Sequence, residues 1–172
     1  MTSRILLIII LPLILSFGKP SDPGELYIQA HLELAKKESR RSGIPVSIKL
    51  AQALVESGNG KSILASRANN HFGIKCKSSW TGPRYFYTDD DRDEYGNLVP
   101  SCFRMYPAPE DSYRDHSDFL MASTRYNSLF QLDSRDYEGW AEGLRICGYA
   151  TDPRYTKSLL KKIEQYKLYK YD

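Results

Sequence analysis

Cysteine is scarce: the 172 residues include three, Cys76, Cys102 and Cys147. Their spacing carries no zinc signature, so neither a metal site nor a cofactor is expected. No glycine-rich phosphate loop and no serine-nucleophile motif occurs, which removes support for nucleotide hydrolysis and serine-hydrolase chemistry. Internal repeats and low-complexity segments are absent, so a solenoid or a disordered tail is not indicated. Charge of one sign is not in excess. Lys and Arg number 24 against 21 Asp and Glu, a net charge of +3. That is too mild to argue for nucleic acid, though compatible with an anionic polymer such as a cell wall. Long apolar runs are missing after the first 20 residues, so no second membrane-length stretch exists.

The apolar run that does occur is N-terminal. Arg4 precedes Ile5 to Leu15, and Ser16-Phe17-Gly18 follows. A short charged region, a short apolar region and small residues make the pattern of a secretory signal peptide, with cleavage expected after Gly18. Residues 1–18 are therefore expected to be a leader. Residues 19–24, with Pro20, Pro23 and Gly24, read as a short linker, and 25–172 as one domain. The composition of that domain, 41% hydrophobic and 26% charged overall, suits a globular core. The expected product is an exported monomer without nucleic-acid partner and, once the leader is removed, without membrane contact.

The periodicity is mainly helical. Tyr27, Ala30 and Leu34 place an apolar stripe on a helix from Glu25 to Arg41. Val46, Leu50, Ala51 and Leu54 place another after Pro45, which suits a first turn. Lys61 to Ala68 reads as a short helix. Further helices follow Pro107 (Tyr113, His116 and Leu120 on one face), Asp136 (Tyr137, Trp140, Ala141, Leu144, Cys147) and Asp152-Pro153 (Tyr155, Leu159, Ile163, Tyr166). Between them the pattern changes. Arg84 to Thr88 and Leu98 to Tyr106 are rich in strand formers, and Tyr95-Gly96-Asn97 supplies a turn. Pro100 marks the second strand as an edge. The acids Asp89-Asp90-Asp91 and Asp93-Glu94 read as a loop between the strands. Cys76 and Cys102 flank this hairpin and are the expected disulfide pair, leaving Cys147 as a buried free thiol.

Chemistry concentrates at the end of the second helix, Leu50-Ala51-Gln52-Ala53-Leu54-Val55-Glu56-Ser57-Gly58-Asn59-Gly60. Gly58 sits where a left-handed helix cap is wanted. Glu56 falls in the last turn, where the helix end disfavours a carboxylate, and apolar neighbours disfavour it further. Both effects raise its pKa, as a general acid requires. This stretch, with Ser62, Ala65 and Asn69-Asn70-His71-Phe72-Gly73-Ile74-Lys75, closely resembles the glucosaminidase domains of glycoside hydrolase family 73. Ser112 to Leu120 and Gly148 to Tyr155 match the same family in order, so the resemblance runs from about Ser42 to the C-terminus.

The resemblance implies a lysozyme-like fold: α+β, mainly α, with an inserted β-hairpin lobe and a groove between the two. It implies peptidoglycan glycan strands as substrate, cut after N-acetylglucosamine. Glu56 would be the general acid. A second carboxylate would come from the hairpin after a threonine, which selects Asp90 behind Thr88; Glu94, before Tyr95 and a glycine turn, fits part of the pattern. Tyr149 would stand beside the sugar preceding the cleaved bond. Asn70 and Phe72 would line the substrate groove, with Phe72 equally readable as a core plug. Tyr155 belongs to the same match and is a substrate-binding candidate, although its helical spacing turns it toward the core. His71 and His116 read as structural. A muramidase, a lytic transglycosylase and a non-catalytic wall-binding module remain alternative readings. A Cys-His amidase built on Cys76 and His71 is weaker, because a disulfide cysteine is no nucleophile.

Overall fold

Helix α2 (Val46–Glu56) is the axis of the helical body. Every residue from Val46 to Leu54 is buried, because α1 (Pro23–Ser42), α5 (Tyr137–Ile146) and α6 (Tyr155–Tyr166) all pack on it. The computed structural model describes residues 22–172. The leader expected at 1–18, and the first residues of the linker, lie outside them. Between α2 and α5 come α3 (Ile63–Ala68), the strands β1 (Arg84–Arg92) and β2 (Leu98–Arg104), and α4 (Pro109–Ala122). The architecture is α+β, mainly α, with a two-stranded hairpin beside a helical body.

Local chemistry explains most element ends. Asp22 accepts from the Gly24 N–H at 2.6 Å, so α1 starts at Pro23, inside the expected linker. The buried face of α1 is Tyr27, Ile28 and Ala35; Ala30, expected in that stripe, is exposed, one position round the helix. Helix α2 has no side-chain cap of its own, since Pro45 precedes it. Asp172 supplies one from the far end of the chain, accepting from Ser47 N–H at 2.8 Å. Asp136 caps α5 by accepting from Gly139 N–H at 2.9 Å.

The turn after α2 fixes where Glu56 stands. Gly58 takes φ +57°, as expected for a left-handed cap. Ser57 Oγ donates to the Ala53 carbonyl and accepts from Gly60 N–H at 2.7 Å. Gly60, at φ +79°, passes so close to Tyr27 that a Cβ there would lie 2.6 Å from the ring. Tyr27 Oη in turn meets His71 Nδ1 at 2.8 Å and Tyr113 Oη at 3.1 Å, which ties α1 to the loop after α3 and to α4.

The hairpin differs from the sequence reading. Its antiparallel register runs from Arg84 opposite Arg104 to Thr88 opposite Pro100, and β1 continues through an irregularity to Arg92. The acids Asp89, Asp90 and Asp91 therefore lie in a strand, not in a loop. Aspartate is a poor strand former, so propensity ended the strand too early; pairing with β2 overrides it. The loop before the hairpin adds to the far edge of β2. Cys76 N–H donates to the Cys102 carbonyl at 2.8 Å and Arg104 N–H to the Ile74 carbonyl at 2.9 Å, with Lys75 bridged to Phe103. The Cys76–Cys102 disulfide, Cα to Cα 5.3 Å, locks this edge. Cys147 is a free thiol at the end of α5 and is half-buried, less enclosed than expected, because it follows the last helical turn.

The disulfide closes a separation of 26 residues, so chain entropy assigns it about 3.5 kcal/mol. Urea unfolding of the Cys76→Ser, Cys102→Ser double variant should show a loss of that order. Alkylation of the unreduced native protein should label Cys147 alone.

Candidate active site

Glu56 ends α2 at the mouth of a groove of about 610 Å³. The segment before the hairpin lines it with Phe72, Gly73, Ile74, Lys75 and Lys77, and α4 and the α5–α6 junction with Phe119, Tyr149, Ala150, Thr151, Asp152 and Tyr155. Glu56 is half-buried, and removal from water pushes its carboxyl above the usual carboxylate range. One hydrogen bond opposes that. Tyr155 Oη donates to Glu56 Oε1 at 2.7 Å, while Gln52 Nε2, one turn back on α2, donates to Tyr155 Oη at 3.2 Å. The carboxyl is thus held in one orientation and kept easy to protonate, the state of a general acid.

The two tyrosines act as a pair. Tyr149 and Tyr155 stack with ring centroids 5.6 Å apart, and burial holds both phenols well above their ordinary range. Glu56 adds to that, since its negative charge opposes ionisation of a neighbouring phenol. Behind Tyr149 stands His116, whose Nε2 is 3.0 Å from Tyr149 Oη and whose ring stacks on Phe72 at 3.9 Å. The junction between α5 and α6 delivers Tyr149: Gly148 turns the chain at φ +71°, and Tyr149 N–H donates to the Leu144 carbonyl at 3.0 Å.

The structure brings together Glu56, Tyr149, Tyr155 and Phe72. Phe72 is both things the sequence allowed, since it belongs to the core cluster and its exposed edge floors the groove. Tyr155 is 5% exposed and is spent on Glu56, so it holds the carboxyl and does not reach out to a ligand. Asn70 does not face the groove. It is 1% exposed, donates to the carbonyls of Ile74 and Arg104, and accepts from Ile74 N–H. Its amide completes backbone hydrogen bonds that pin the groove wall to β2, with both N–H donors used and the side chain buried.

The hairpin acids are not brought to Glu56. Asp89 and Asp91 share the face of β1 that meets Lys75, at 3.9 and 2.6 Å, and Asp91 also accepts from Ser101. Asp90, between them, is exposed, and Glu94 is exposed in the turn; neither lines the groove. Gln52 and His116 are the residues whose part in the site was not read from the sequence. Among the described residues no group of three or more His, Cys, Asp or Glu is arranged to hold a metal ion.

A helical body, a hairpin lobe and a desolvated carboxyl at a groove between them define a lysozyme-like glycoside hydrolase domain. The chain belongs to the glucosaminidase family, whose description is mannosyl-glycoprotein endo-beta-N-acetylglucosaminidase, matched over residues 32–168. It is 31% identical to the peptidoglycan hydrolase FlgJ of Vibrio parahaemolyticus over 81% of this chain and 46% of that one. With the exo-glucosaminidase LytG of Bacillus subtilis the identity is 34%, over 73% of this chain and 45% of the other. The chain thus spans about half the length of these curated relatives. The glycoside hydrolase domain of Salmonella typhimurium FlgJ superposes with a TM-score of 0.68 at 31% identity, covering 84% of this chain and 88% of that one. The catalytic domain of the Listeria monocytogenes autolysin Auto reaches 0.79 at 23% identity, over 91% and 92%, a likeness of fold.

Two outcomes follow from the environment of Glu56. Tyr155→Phe removes the donor that favours the charged form, so the Glu56 pKa, followed by carbon-13 NMR titration, should move further up. Glu56 holds its proton more tightly folded than unfolded. The stability this contributes is complete below the unfolded pKa and is lost as pH rises through the folded one. Glu56→Gln, neutral throughout, should therefore gain on wild type in thermal melts as pH rises above about 4. A gain that shrinks with rising pH would refute the assignment.

Proposed function

We propose that the chain is an exported endo-β-N-acetylglucosaminidase that cuts peptidoglycan glycan strands at the β-1,4 bond between N-acetylglucosamine and N-acetylmuramic acid. The observation that carries this is the Glu56 carboxyl, desolvated and oriented by Tyr155 at the groove between body and hairpin. Family membership supports the bond type, and the relatives named as peptidoglycan hydrolases support the polymer. Export rests on the leader read at residues 1–18. No helix of the described residues is long and apolar enough to cross a membrane.

Glu56, protonated, gives its proton to the glycosidic oxygen as the bond to the anomeric carbon breaks. Positive charge develops at that carbon and must be stabilised or captured by water. The hairpin supplies the second carboxylate in this reading. Asp91 is committed to Lys75 and Ser101, whereas Asp90 has no hydrogen bond or ion pair among the described residues and is free to activate water. Asp90 does not line the groove, so its part is tested by substitution against Glu94. Tyr149 faces the sugar on the glucosamine side, where the 2-acetamido group lies.

A digest of purified peptidoglycan, reduced with borohydride and read by mass spectrometry, tests the reading. Reduced N-acetylglucosamine ends are expected from the wild type. Reduced muramic ends would make the domain a muramidase, anhydro ends a transglycosylase, and no fragments from folded protein a binding module. Glu56→Gln should slow cleavage about 10²- to 10⁴-fold while leaving the fold intact. Asp90→Asn should cost less than Glu56→Gln and more than Glu94→Gln; the reverse order would move the second acid to Glu94.

A further inference from the structure

Lys49 is out of place in α2. It lies in the middle of nine consecutive buried residues and is 0% exposed. A buried lysine persists only where its donors are taken up. Its Nζ lies 2.7 Å from His116 Nδ1, 2.7 Å from Ser117 Oγ and 5.4 Å from the centre of the Phe72 ring. Ser117 has already given its own proton to the Tyr113 carbonyl at 3.1 Å, so it accepts from Lys49.

An ammonium group has no lone pair, so His116 Nδ1 must accept as well. The neutral imidazole then carries its single proton on Nε2, facing Tyr149 Oη at 3.0 Å. Tyr149 accepts there, and its own proton must point elsewhere. The open side of Tyr149 is the groove beside Glu56.

We propose that Lys49 and His116 are positioning residues that fix the Tyr149 hydroxyl as a hydrogen-bond donor into the groove, toward the bound sugar. The proposal rests on the glycosidase reading for its substrate, but not for its internal chemistry. Lys49 sets the direction of the chain. As an ammonium it can only donate, and Tyr149 offers a proton to the groove. As a neutral amine it can accept from His116 Nδ1–H, and Tyr149 can then donate back to Nε2 and present lone pairs instead. The groups that face Lys49 are Glu38 and Arg41 on α1 and His116 and Asp118 on α4. Burial brings the Lys49 pKa down to about 7; Glu38 and Asp118 oppose that, and Arg41 adds to it. The same burial, with the Lys49 charge, keeps His116 neutral.

The direct test is the tautomer. The chain has three histidines, so nitrogen-15 imidazole spectra are simple, and the loss of one set in His116→Gln assigns that residue. At about pH 6 the wild type should show a pyrrole-type Nε2 and a pyridine-type Nδ1. A proton on Nδ1 at that pH overturns the proposal. Lys49→Met, checked for folding by circular dichroism, should mix the tautomers and lower kcat about 10- to 100-fold with KM on soluble glycan fragments nearly unchanged. A folded Lys49→Met with wild-type kcat also overturns it. The spectrum needs no substrate. The predicted tautomer in a wild type that cleaves no glycan would therefore sink the substrate and leave the relay standing.

Discussion

The withdrawal of Glu56 from water is the constraint on which the rest of the structure depends. A carboxyl at a helix C-terminus in apolar surroundings is uphill on two counts, burial and the helix dipole. It stays there because α2 cannot move. The helix is enclosed by α1, α5 and α6, its start is capped by Asp172, and its end is tied by Ser57 to both Ala53 and Gly60. Tyr155 then fixes one carboxyl oxygen, and its hydrogen bond opposes without cancelling the desolvation that makes the group hold its proton more tightly. A lysine in place of that donor would pull the pKa down. A phenol is the milder partner.

The hairpin faces the opposite problem. A two-stranded ribbon is marginal on its own. Here the Ile74 to Cys76 segment adds a third, partial strand, the disulfide locks it, and the buried Asn70 amide joins Ile74 to Arg104. All three fastenings lie at the base of the ribbon. Farther along, Lys75 pairs with Asp89 and Asp91, and Asp93 holds the turn by accepting from the Tyr95 and Asn97 N–H groups, while Asp90 and Glu94 are exposed. Charge on a free β1 edge also discourages pairing with another chain. These fastenings place the groove wall formed by Ile74 and Lys75.

What the sequence showed and what it hid separate by range. Glu56, Gly58 and the caps at Asp136 and Gly148 were legible, because caps and helical stripes are local patterns. The disulfide was legible from its place around the hairpin. The continuation of β1 through Asp89 to Asp91 was not, since residue preference speaks against it and only the partner strand, with Lys75, sustains it. Asn70 was placed near the sugar by the family resemblance; its backbone partners, Ile74 and Arg104, come together only when the loop packs on β2. The one available signal for Lys49 was a charged residue on an otherwise apolar helix; its partner His116 lies 67 positions away. Such a pair is visible only once α2 and α4 are packed.

The buried polar chain from Lys49 to Tyr149 and the pair of Tyr155 with Glu56 meet at one stack of two phenol rings. Each line alone would be an expensive core defect. A buried lysine, a buried histidine and a desolvated carboxyl all oppose folding unless their hydrogen bonds are complete. The core around them is built from residues that are almost wholly enclosed, such as Trp140, Tyr113, Leu50 and Leu144, and it carries that load. A chain under selection for stability alone would put apolar side chains at Lys49 and His116. Their retention at the back of the groove, joined by hydrogen bonds to the tyrosine that lines it, marks the polar core as part of the site and not only of the fold.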